Sequence, residues 1–365
     1  MKNLFMYLNI PWNFIKQRPQ FLAEKLNNYT ELVVYYNKPY RKTYIVKKEN
    51  ANNLNIVSRY KIPRKCKLLK YIDNMIQFIF LFPYITRYDY IWIMHIDQYD
   101  ILKKFVKNKV LIYDCMDDYI NFPSATKKEK KSILKLENEL VNKANYVFYS
   151  SASLKESHTL RYGYKKNSYV INNAFEEFDK SDEETTEKKD IEIYMNNIKG
   201  KKITYVGAIE GWFDFDIIEK LLNRNKKISI VLFGPTSLNI PKIERLYLFG
   251  KIEHNSVNTA MKYSDALIMP FKINELILSV DPIKVYEYIS SGKKVIVPNY
   301  PEMYKFKNFV DIYNNIESLI EIVEKLDDNK YYIDTRDFIS KNTWEVRAKE
   351  IVRIIENEEN KNTFD

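Results

Sequence analysis

The chain has 365 residues, 45% hydrophobic and 29% charged, a composition typical of a globular protein with room for two domains. Two distant cysteines, Cys66 and Cys115, and three scattered histidines exclude a disulfide framework and a zinc site of the usual spacing. The longest apolar stretch, Met75 to Ile85, is too short to span a bilayer and contains Pro83.

The net charge of +10 is distributed unevenly. Residues 1–172 hold 30 Lys and Arg against 14 Asp and Glu, a net of +16, while the remainder has a net of −6. Within 38–70 there are 11 basic residues and one acid, Glu49. This asymmetry indicates either a surface tuned for solubility or an anionic partner for the N-terminal half alone.

Apolar runs of strand length alternate with helical stretches along residues 1–175. Residues 18–28 and 127–144 have helical apolar spacing, and Pro19 lies near the start of the first. Continuous apolar strands that alternate with helices predict a parallel sheet covered on both faces. The predicted strands are "LFMYLNI", "ELVVYYN", "YDYIWIMH", "KVLIYDCM", "NYVFYSS" and "SYVIN".

Residues 176–200 are polar, acidic at first, and predict a linker. The alternation of strands and helices restarts after it, over 201–341, and predicts a second α/β domain. Two further helices near the end include one over about 342–362. The sequence therefore predicts two α/β domains with a deep cleft between them.

The distribution of glycine separates the two domains. None of the seven glycines lies in the first 162 residues, so the N-terminal domain has no GxGxxG fingerprint for a dinucleotide. Gly207, Gly211, Gly234 and Gly250 lie where strands of the C-terminal domain end. Ligands of α/β folds bind at such ends, so we expect a nucleotide in the C-terminal domain.

The stretch "SVDPIKVYEYISSGKKVIVP" predicts a helix that begins near Pro282, with Asp281 as a candidate cap. The first turn of a helix carries partial positive charge and suits a phosphate, and Lys284 adds a full charge there. Glu287, one turn later, suits the hydroxyls of a ribose. Together they favour a nucleoside diphosphate. The alternative is an ordinary i,i+3 surface ion pair.

Four segments taken in order resemble the bacterial GT-B glycosyltransferases of teichuronic-acid, capsule and O-antigen synthesis. The resemblance covers about 1–175 and 200–350. It implies two Rossmann-like domains with parallel sheets that face each other across a cleft. The segments are "PWNFIKQRPQFLAEKL", "YDCMDDY", "YVGAIEGWFDFDIIEKLL" and "MPFKINELILSVDPIKVYEYISSGKKVIVP".

The resemblance also implies roles for individual residues on the donor side. Lys284 would neutralise the phosphates of a nucleoside-diphosphate sugar, and Glu287 would hold its ribose. The backbone around Gly207 and Gly211 would approach the diphosphate or the acceptor side. The remaining donor-side residues would be His254 and Asn255 near the base, and Phe271, Asn274 and Ser279 around the donor sugar and phosphate. The last helix, with Trp344 and Arg347, would pack back on the N-terminal domain.

One position departs from the family pattern. Many retaining members carry a second glutamate eight residues before the one that corresponds to Glu287, and this chain has Ser279 there. The stereochemistry therefore stays open between retaining and inverting. An inverting mechanism needs a base, and relatives with an acidic pair in the "YDCMDDY" loop use one of its members, so Asp117 is the first candidate and Asp118 the second. The alternative is that these aspartates only cap the next segment.

Four residues of the N-terminal domain are candidates for binding the acceptor: Trp12, Lys16, Arg18 and His95. For Arg18 and His95 a structural role is the alternative. "DFD" at 214–216 begins a helix, so helix capping explains it better than metal binding. GT-B enzymes typically use no bound metal and no cofactor beyond the sugar donor, so none is expected. No nucleic-acid motif accompanies the 30 tyrosines.

The predicted function is transfer of a sugar from a nucleoside-diphosphate donor to a glycan or polyprenyl-diphosphate-linked acceptor in surface polysaccharide synthesis. A cytosolic location is expected, with attachment to the anionic inner face of the cell membrane through residues 38–85 as an added hypothesis. Under the alternative, Met75–Ile85 is a core helix. The competing function is a catalytically silent GT-B-like subunit that binds glycans or protein partners.

Overall fold

A computed structural model of the chain contains two compact units. Unit 1 comprises Met1–Asn173 and Trp344–Asp365, and unit 2 comprises Ala174–Thr343. The structure describes residues 1–13, 16–38, 47–51, 54–63, 66–122, 126–176, 184–327 and 334–362.

The described residues of unit 1 form an eight-stranded sheet in the order β3-β4-β2-β1-β5-β6-β7-β8. All neighbouring strands are parallel except β3 and β4, which are antiparallel. The strands are β1 (Asn3–Tyr7), β2 (Glu31–Lys38), β3 (Lys47–Ala51), β4 (Leu54–Tyr60), β5 (Tyr90–Ile93), β6 (Val110–Cys115), β7 (Tyr146–Tyr149) and β8 (Ser168–Val170).

Helices of unit 1 connect these strands. The central strands β1, β5, β6 and β7 are buried along almost their whole length, as expected of a parallel sheet covered on both faces. The helices are α1 (Arg18–Leu26), α2 (Lys67–Arg87), α3 (Ile96–Leu102), α4 (Lys127–Lys143) and α5 (Ala152–Tyr162).

The final helix of the chain belongs to unit 1. This helix, which we number α12 (Trp344–Asn362), follows unit 2 in sequence. The ring of Trp344 is fully buried and stacks on Phe21 of α1 with 5.1 Å between centroids. Arg347 Nε donates to the carbonyl oxygen of Asn172 at 3.0 Å. An aromatic stack and a charged hydrogen bond thus hold α12 on this unit.

The described residues of unit 2 form a six-stranded parallel sheet in the order β11-β10-β9-β12-β13-β14. The strands are β9 (Lys201–Val206), β10 (Ile228–Phe233), β11 (Leu246–Gly250), β12 (Ala266–Ile268), β13 (Lys294–Pro298) and β14 (Asp311–Tyr313). The helices are α6 (Thr186–Asn197), α7 (Phe215–Arg224), α8 (Val257–Lys262), α9 (Ile283–Ser290), α10 (Ile316–Glu324) and α11 (Arg336–Lys341).

The linker predicted over 176–200 corresponds in part to a helix. Helix α6 occupies Thr186–Asn197, and Thr185 caps it by accepting from the backbone N–H of Lys188. Ile191 and Met195, one turn apart, are fully buried in the core of unit 2. The sequence did not predict this helix because its contact with the core rests on two apolar side chains. Among so many polar residues, two apolar positions give too weak a helical periodicity to recognise. Residues 177–183 lie outside the described residues.

The prediction of two α/β units with parallel sheets is confirmed. Strands β3, β4 and β14 were not predicted: β3 and β4 are rich in polar residues, and β14 has three residues. In unit 1 the strand order reverses direction between β1 and β5, and in unit 2 between β9 and β12. Such switch points are where open α/β sheets bind ligands at the carboxyl ends of the strands.

Candidate functional site

The carboxyl edge of the unit 2 sheet carries a row of glycines at the ends of three adjacent strands. Gly207 follows β9, Gly234 follows β10, and Gly250 ends β11. The N–H of Gly207 donates to Phe233, and that of Gly234 donates to Gly250. A Cβ on Gly234, whose φ is +147°, would lie 1.8 Å from the carbonyl oxygen of Gly207, so only glycine fits there. These three positions contribute no side chain to the edge, although the hydroxyl of Tyr205 lies beside Gly207 and donates to the carbonyl oxygen of Ala208 at 2.8 Å.

Tyrosines on either side of Glu287 fix helix α9 against this edge. The hydroxyl of Tyr288 accepts from the N–H of Val206 at 2.7 Å, immediately before Gly207. The hydroxyl of Tyr286 donates to Asp281 at 3.0 Å, and Lys305 pairs with the same carboxylate at 2.7 Å. Asp281 is therefore not the predicted helix cap: its carboxylate is buried in this network, and Pro282 occupies the cap position.

Three predicted donor-side residues converge at the start of α9. Lys284 Nζ donates to Glu287 Oε2 at 2.7 Å, and His254 Nε2 lies 3.9 Å from Oε1 of the same carboxylate. The side chain of Glu287 is 3% exposed, whereas that of Lys284 is 27% exposed. A surface ion pair would expose both groups, so the alternative reading of the pair as an ordinary surface contact does not describe it. A buried carboxylate between two cationic or polar groups can accept from hydroxyls of a ligand.

The loops after β11 and β12 place the other predicted donor residues. His254 and Asn255 lie in the turn that leads into α8, and Asn255 is exposed. Phe271 follows β12, half-buried, with its ring 6.1 Å from that of Tyr205. Gly211 faces open space, since a Cβ there would meet nothing within 4 Å.

Asn274 and Ser279 have local structural roles. The side-chain oxygen of Asn274 accepts from the N–H of Ile277 at 3.0 Å, although the residue is exposed and keeps its amide nitrogen outside that bond. Ser279 is buried and donates to the carbonyl oxygen of Leu276 at 2.9 Å. The expectation that Ser279 lines a sugar is thus corrected, because its hydroxyl is taken up inside the turn that it ends.

The acidic loop after β6 contains two aspartates with different surroundings. Asp118 is buried and accepts from both terminal nitrogens of Arg161, at 2.8 and 2.6 Å. Asp117 is half-buried, and no described residue forms a hydrogen bond or ion pair with its carboxylate. Burial, followed by the charge of Asp118, raises the pKa of Asp117 to about 6. Asp117 therefore has the chemistry of a base, whereas Asp118 is a structural partner of Arg161.

Arg18 is part of the interior of unit 1 and does not face an acceptor. Its Nε and Nη2 donate to the carboxylate of Asp114, which is fully buried, at 3.0 and 2.8 Å. Its Nη1 donates to the carbonyl oxygen of Ile171 at 2.6 Å. The expected acceptor-binding role is thus corrected, because the guanidinium is already saturated by groups that tie α1 and β6 to the segment after β8.

His95 and Trp12 follow β5 and β1, the two strands that flank the switch point of unit 1. The backbone N–H of Asp97 donates to Nδ1 of His95 at 3.1 Å, so the neutral imidazole carries its proton on Nε2. Burial lowers the pKa of His95 and favours this neutral form. The ring lies edge-on to Tyr119, 4.6 Å away. His95 can therefore donate a hydrogen bond at neutral pH but cannot act as a base without losing its cap.

Lys16 and Trp12 lie before α1. Lys16 Nζ pairs with Glu24 at 2.6 Å and lies 4.5 Å from the centre of the Phe21 ring. Trp12 is half-buried. Both side chains remain partly accessible in unit 1, so the prediction that they bind an acceptor stays a prediction.

Among the described residues, one group of side chains has metal-binding chemistry: Cys115, Glu137 and His158, all buried. Tyr113 and Tyr162 each donate to Glu137 at 2.7 Å, and Cys115 Sγ lies 3.7 Å from His158 Nε2. Burial, followed by Arg161, lowers the pKa of His158 to about 3, and burial raises that of the Cys115 thiol. Hydrogen bonds from Tyr113 and Tyr162 to Glu137, and the contact between Cys115 and His158, explain this cluster, and we assign no metal to it.

Comparison with solved structures decides the architecture. Sucrose-phosphate synthase from Thermosynechococcus elongatus is 12% identical, with a TM-score of 0.72 over 97% of this chain and 98% of that one. Anabaena HepE in complex with UDP and glucose is 12% identical, with a TM-score of 0.68 over 97% and 99%. The chain has the GT-B fold. An α,α-trehalose-phosphate synthase from Burkholderia xenovorans shares this GT-B architecture at 10% identity, with a TM-score of 0.68 over 96% of this chain and 99% of that one.

At the level of sequence, no family model matches the chain. A Bacillus subtilis (strain 168) protein, provisionally named teichuronic acid biosynthesis glycosyltransferase TuaH, is 23% identical over 211 residues. The match spans 54% of this GT-B chain and 52% of that protein, about half the length of each.

Sequence reasoning missed several residues that hold the site in place. Tyr288 anchors α9 to β9, and Arg161 neutralises Asp118. Glu187 of α6 accepts from the backbone N–H of Glu253 at 3.1 Å and so positions the turn that carries His254. The signal for Tyr288 was present in the sequence, since Val285, Tyr288 and Ile289 recur at helical apolar spacing and so predict one buried face of α9. Nothing local in the sequence marks Arg161 or Glu187.

Proposed function

We propose that the protein is a glycosyltransferase that takes a sugar from a nucleoside-diphosphate donor bound in unit 2. The observation that carries this proposal is the buried Glu287 between Lys284 and His254, at the start of a helix beside a row of glycines. The glycine edge lets a ligand approach the backbone, and the start of α9 with Lys284 offers positive charge to a diphosphate. The UDP and glucose bound to Anabaena HepE, a solved structure with the same fold, support this choice of ligand.

The departing diphosphate gains charge as the sugar leaves it. Lys284 and the first-turn N–H groups of α9 would stabilise that charge, which is how a fixed electrostatic environment lowers a barrier. The ribose hydroxyls would donate to Glu287, which now accepts from Lys284. On binding of the donor, Lys284 would thus exchange Glu287 for the diphosphate, and Glu287 would exchange Lys284 for the ribose hydroxyls.

We assign the base to Asp117 of unit 1. It would accept the proton of the acceptor hydroxyl while the oxygen attacks the sugar, which corresponds to an inverting mechanism. Its pKa of about 6 leaves it largely ionised at neutral pH and still basic enough to take a proton. His95 would donate from Nε2 to an oxygen of the acceptor, and Trp12 and Lys16 are the remaining acceptor-side candidates.

We extend the proposal to the acceptor and to the location of the protein. We infer a glycan or polyprenyl-diphosphate-linked acceptor in the synthesis of a bacterial surface polysaccharide, supported by the partial match to the Bacillus protein. The reaction would need no metal, because Lys284 supplies the positive charge. No described helix is both long and apolar enough to cross a bilayer. Peripheral attachment to the anionic inner face of the cell membrane is the remaining expectation.

A thermal-shift screen with UDP, GDP, dTDP and CDP tests the donor site. We expect one of them to raise the melting temperature, and the increase to disappear in Lys284→Ala and Glu287→Ala. The matched control is Lys341→Ala, which removes a lysine from an exposed i,i+4 ion pair on another helix of the same unit. No response to any of the four nucleotides would contradict the proposal.

One observation favours a second candidate, a GT-B-like subunit without catalytic activity. Ser279 stands where many retaining members have a glutamate, and its hydroxyl is buried in a turn. Under this candidate the nucleotide still binds, but no sugar is transferred. Release of nucleoside diphosphate from its sugar form, measured with and without a lipid-linked acceptor, separates the two.

A further inference from the structure

Helix α2 exposes a continuous apolar stripe. Five large side chains on it are between 48% and 67% exposed: Leu68, Tyr71, Met75, Ile79 and Phe82. They recur every three or four residues and so lie along one side of the helix. Phe78 beside the stripe stacks on Phe105, itself exposed, with 3.9 Å between ring centroids, which extends the apolar surface to the loop after α3.

The opposite side of α2 holds the helix on unit 1. Leu81 and Ile85 are buried in the core cluster of the sheet, and Gln77 is buried beside them. Asp73 is fully buried and pairs with Arg59 at 2.6 Å. The helix is therefore anchored by one side, and the segment Met75–Ile85 is a core helix on that side only. The exposed stripe adds nothing to this anchoring.

The exposed charged side chains of helix α2 itself are all basic. The only acid in α2 is the buried Asp73, so the helix exposes no acidic side chain. Lys67 and Lys70 at its start and Lys104 and Lys107 beside Phe105 are exposed. None of these four has an ion-pair partner among the described residues. In contrast, the nearby Lys103 and Lys109 pair with Asp100 and Asp89.

We propose that this surface, formed by the α2 stripe and the four lysines, docks on an anionic phospholipid bilayer. A stripe of aromatic and aliphatic side chains flanked by unpaired cations has the composition of a helix that lies in the plane of a membrane surface. A second protein chain would have to supply matching acids around an apolar centre, whereas a bilayer supplies both throughout its surface. This surface would be the face that meets a lipid-linked acceptor, an assignment that rests on the proposed function.

Co-sedimentation with vesicles tests the proposal without nucleotide or acceptor. We expect binding to phosphatidylcholine vesicles that contain phosphatidylglycerol, loss of binding at high salt, and little binding to phosphatidylcholine alone. Ile79→Glu and the double change Lys104→Glu/Lys107→Glu should each weaken partitioning at least about tenfold. All three side chains are exposed, so the fold and the nucleotide thermal shift should be unchanged.

Matched control variants distinguish binding through this surface from nonspecific adsorption of the protein to vesicles. Leu160→Glu introduces the same charge at an apolar residue of α5 that is 83% exposed, and Lys128→Glu/Lys131→Glu reverses two exposed lysines of α4. Both variants should bind the vesicles like the unaltered protein. Absence of binding at low salt would overturn the proposal, as would equal losses in the control variants. So would a concentration-dependent dimer that Ile79→Glu abolishes in the absence of vesicle binding.

Discussion

The carboxyl edges of the two sheets carry similar residue types in different surroundings. In unit 1 the edge is crowded with charge, since Arg18 with Asp114 and Arg161 with Asp118 form buried or partly buried pairs. In unit 2 the edge is a row of glycines beside helix α9, whose pair of Lys284 with Glu287 leaves the lysine side chain partly exposed. A saturated pair holds a fold together. A pair with an accessible cation can exchange its partner for a ligand.

This difference lies in burial and in the number of partners. The guanidinium of Arg18 has three oxygen-bearing partners, and Asp114 is fully buried. Lys284 donates to Glu287, and its side chain retains 27% of its exposure. Asp117 differs from the other carboxylates of the unit 1 edge, since its carboxylate has no partner among the described residues. Like Lys284, it can therefore interact with a ligand.

The largest expected effect is the loss of a saturated pair. Arg18→Ala leaves Asp114 buried and unpaired, and should lower the free energy of unfolding by about 3–5 kcal/mol. Urea denaturation followed by circular dichroism measures this. Lys16→Ala, two residues away and partly exposed, should cost less than about 1 kcal/mol. If both variants lose the same small amount of unfolding free energy, the buried pair of Arg18 with Asp114 is no more important for stability than a partly exposed one.

Asp117→Asn should lower kcat at least about a hundredfold, because it removes the base. In the unaltered protein kcat/KM should fall as the pH drops through about 6, where Asp117 takes up its proton. In the folded protein Asp117 keeps its proton up to about pH 6, whereas an aspartate of the unfolded chain loses it near pH 3.8. As the pH rises between these two values, the folded state therefore becomes less stable relative to the unfolded state.

The asparagine variant should therefore melt at a higher temperature than the unaltered protein above pH 6, and at the same temperature near pH 4. Asp118→Asn gives the opposite expectation, since it breaks the pair with Arg161 and should lower the melting temperature. Near-normal turnover in Asp117→Asn would eliminate it as the base.

The glycine row provides a third comparison. Gly234→Ala should destabilise the protein by about 2 kcal/mol, because its φ of +147° and the carbonyl oxygen of Gly207 leave no room for a Cβ. Gly211→Ala should leave stability unchanged, since nothing lies within 4 Å of its added Cβ. If Gly211→Ala also leaves KM for the donor unchanged, a donor does not approach that backbone.

The smallest expected effect concerns the ribose. Glu287→Gln should weaken binding of the preferred nucleoside diphosphate about tenfold, since a neutral amide is a poorer acceptor for two hydroxyls. The 2′-deoxy form of the same nucleotide should bind the unaltered protein more weakly and should bind Glu287→Gln with little further loss. Calorimetric titration of both nucleotides with both proteins measures this. If the losses of affinity from Glu287→Gln and from the missing 2′-hydroxyl add in full, the ribose does not bind at Glu287.

Local patterns in the sequence predicted what depends on neighbours in the chain. Apolar runs predicted most strands, Asp214 caps α7 as expected, and the three-residue spacing predicted that Lys284 and Glu287 meet. The sequence could not show that Arg18 reaches Asp114, because 96 positions separate them and burial depends on the folded sheet. It also could not show that Glu287 is buried, which is what distinguishes the pair from a surface contact.

The central claim is that Lys284 holds the diphosphate at the start of α9. Isothermal titration of the nucleoside diphosphate that stabilises the protein most tests it directly, in the unaltered chain, Lys284→Ala and Lys341→Ala. We expect binding about 10- to 100-fold weaker in Lys284→Ala, the loss of one charge-assisted contact, and unchanged binding in Lys341→Ala. Equal affinity in all three proteins would contradict it.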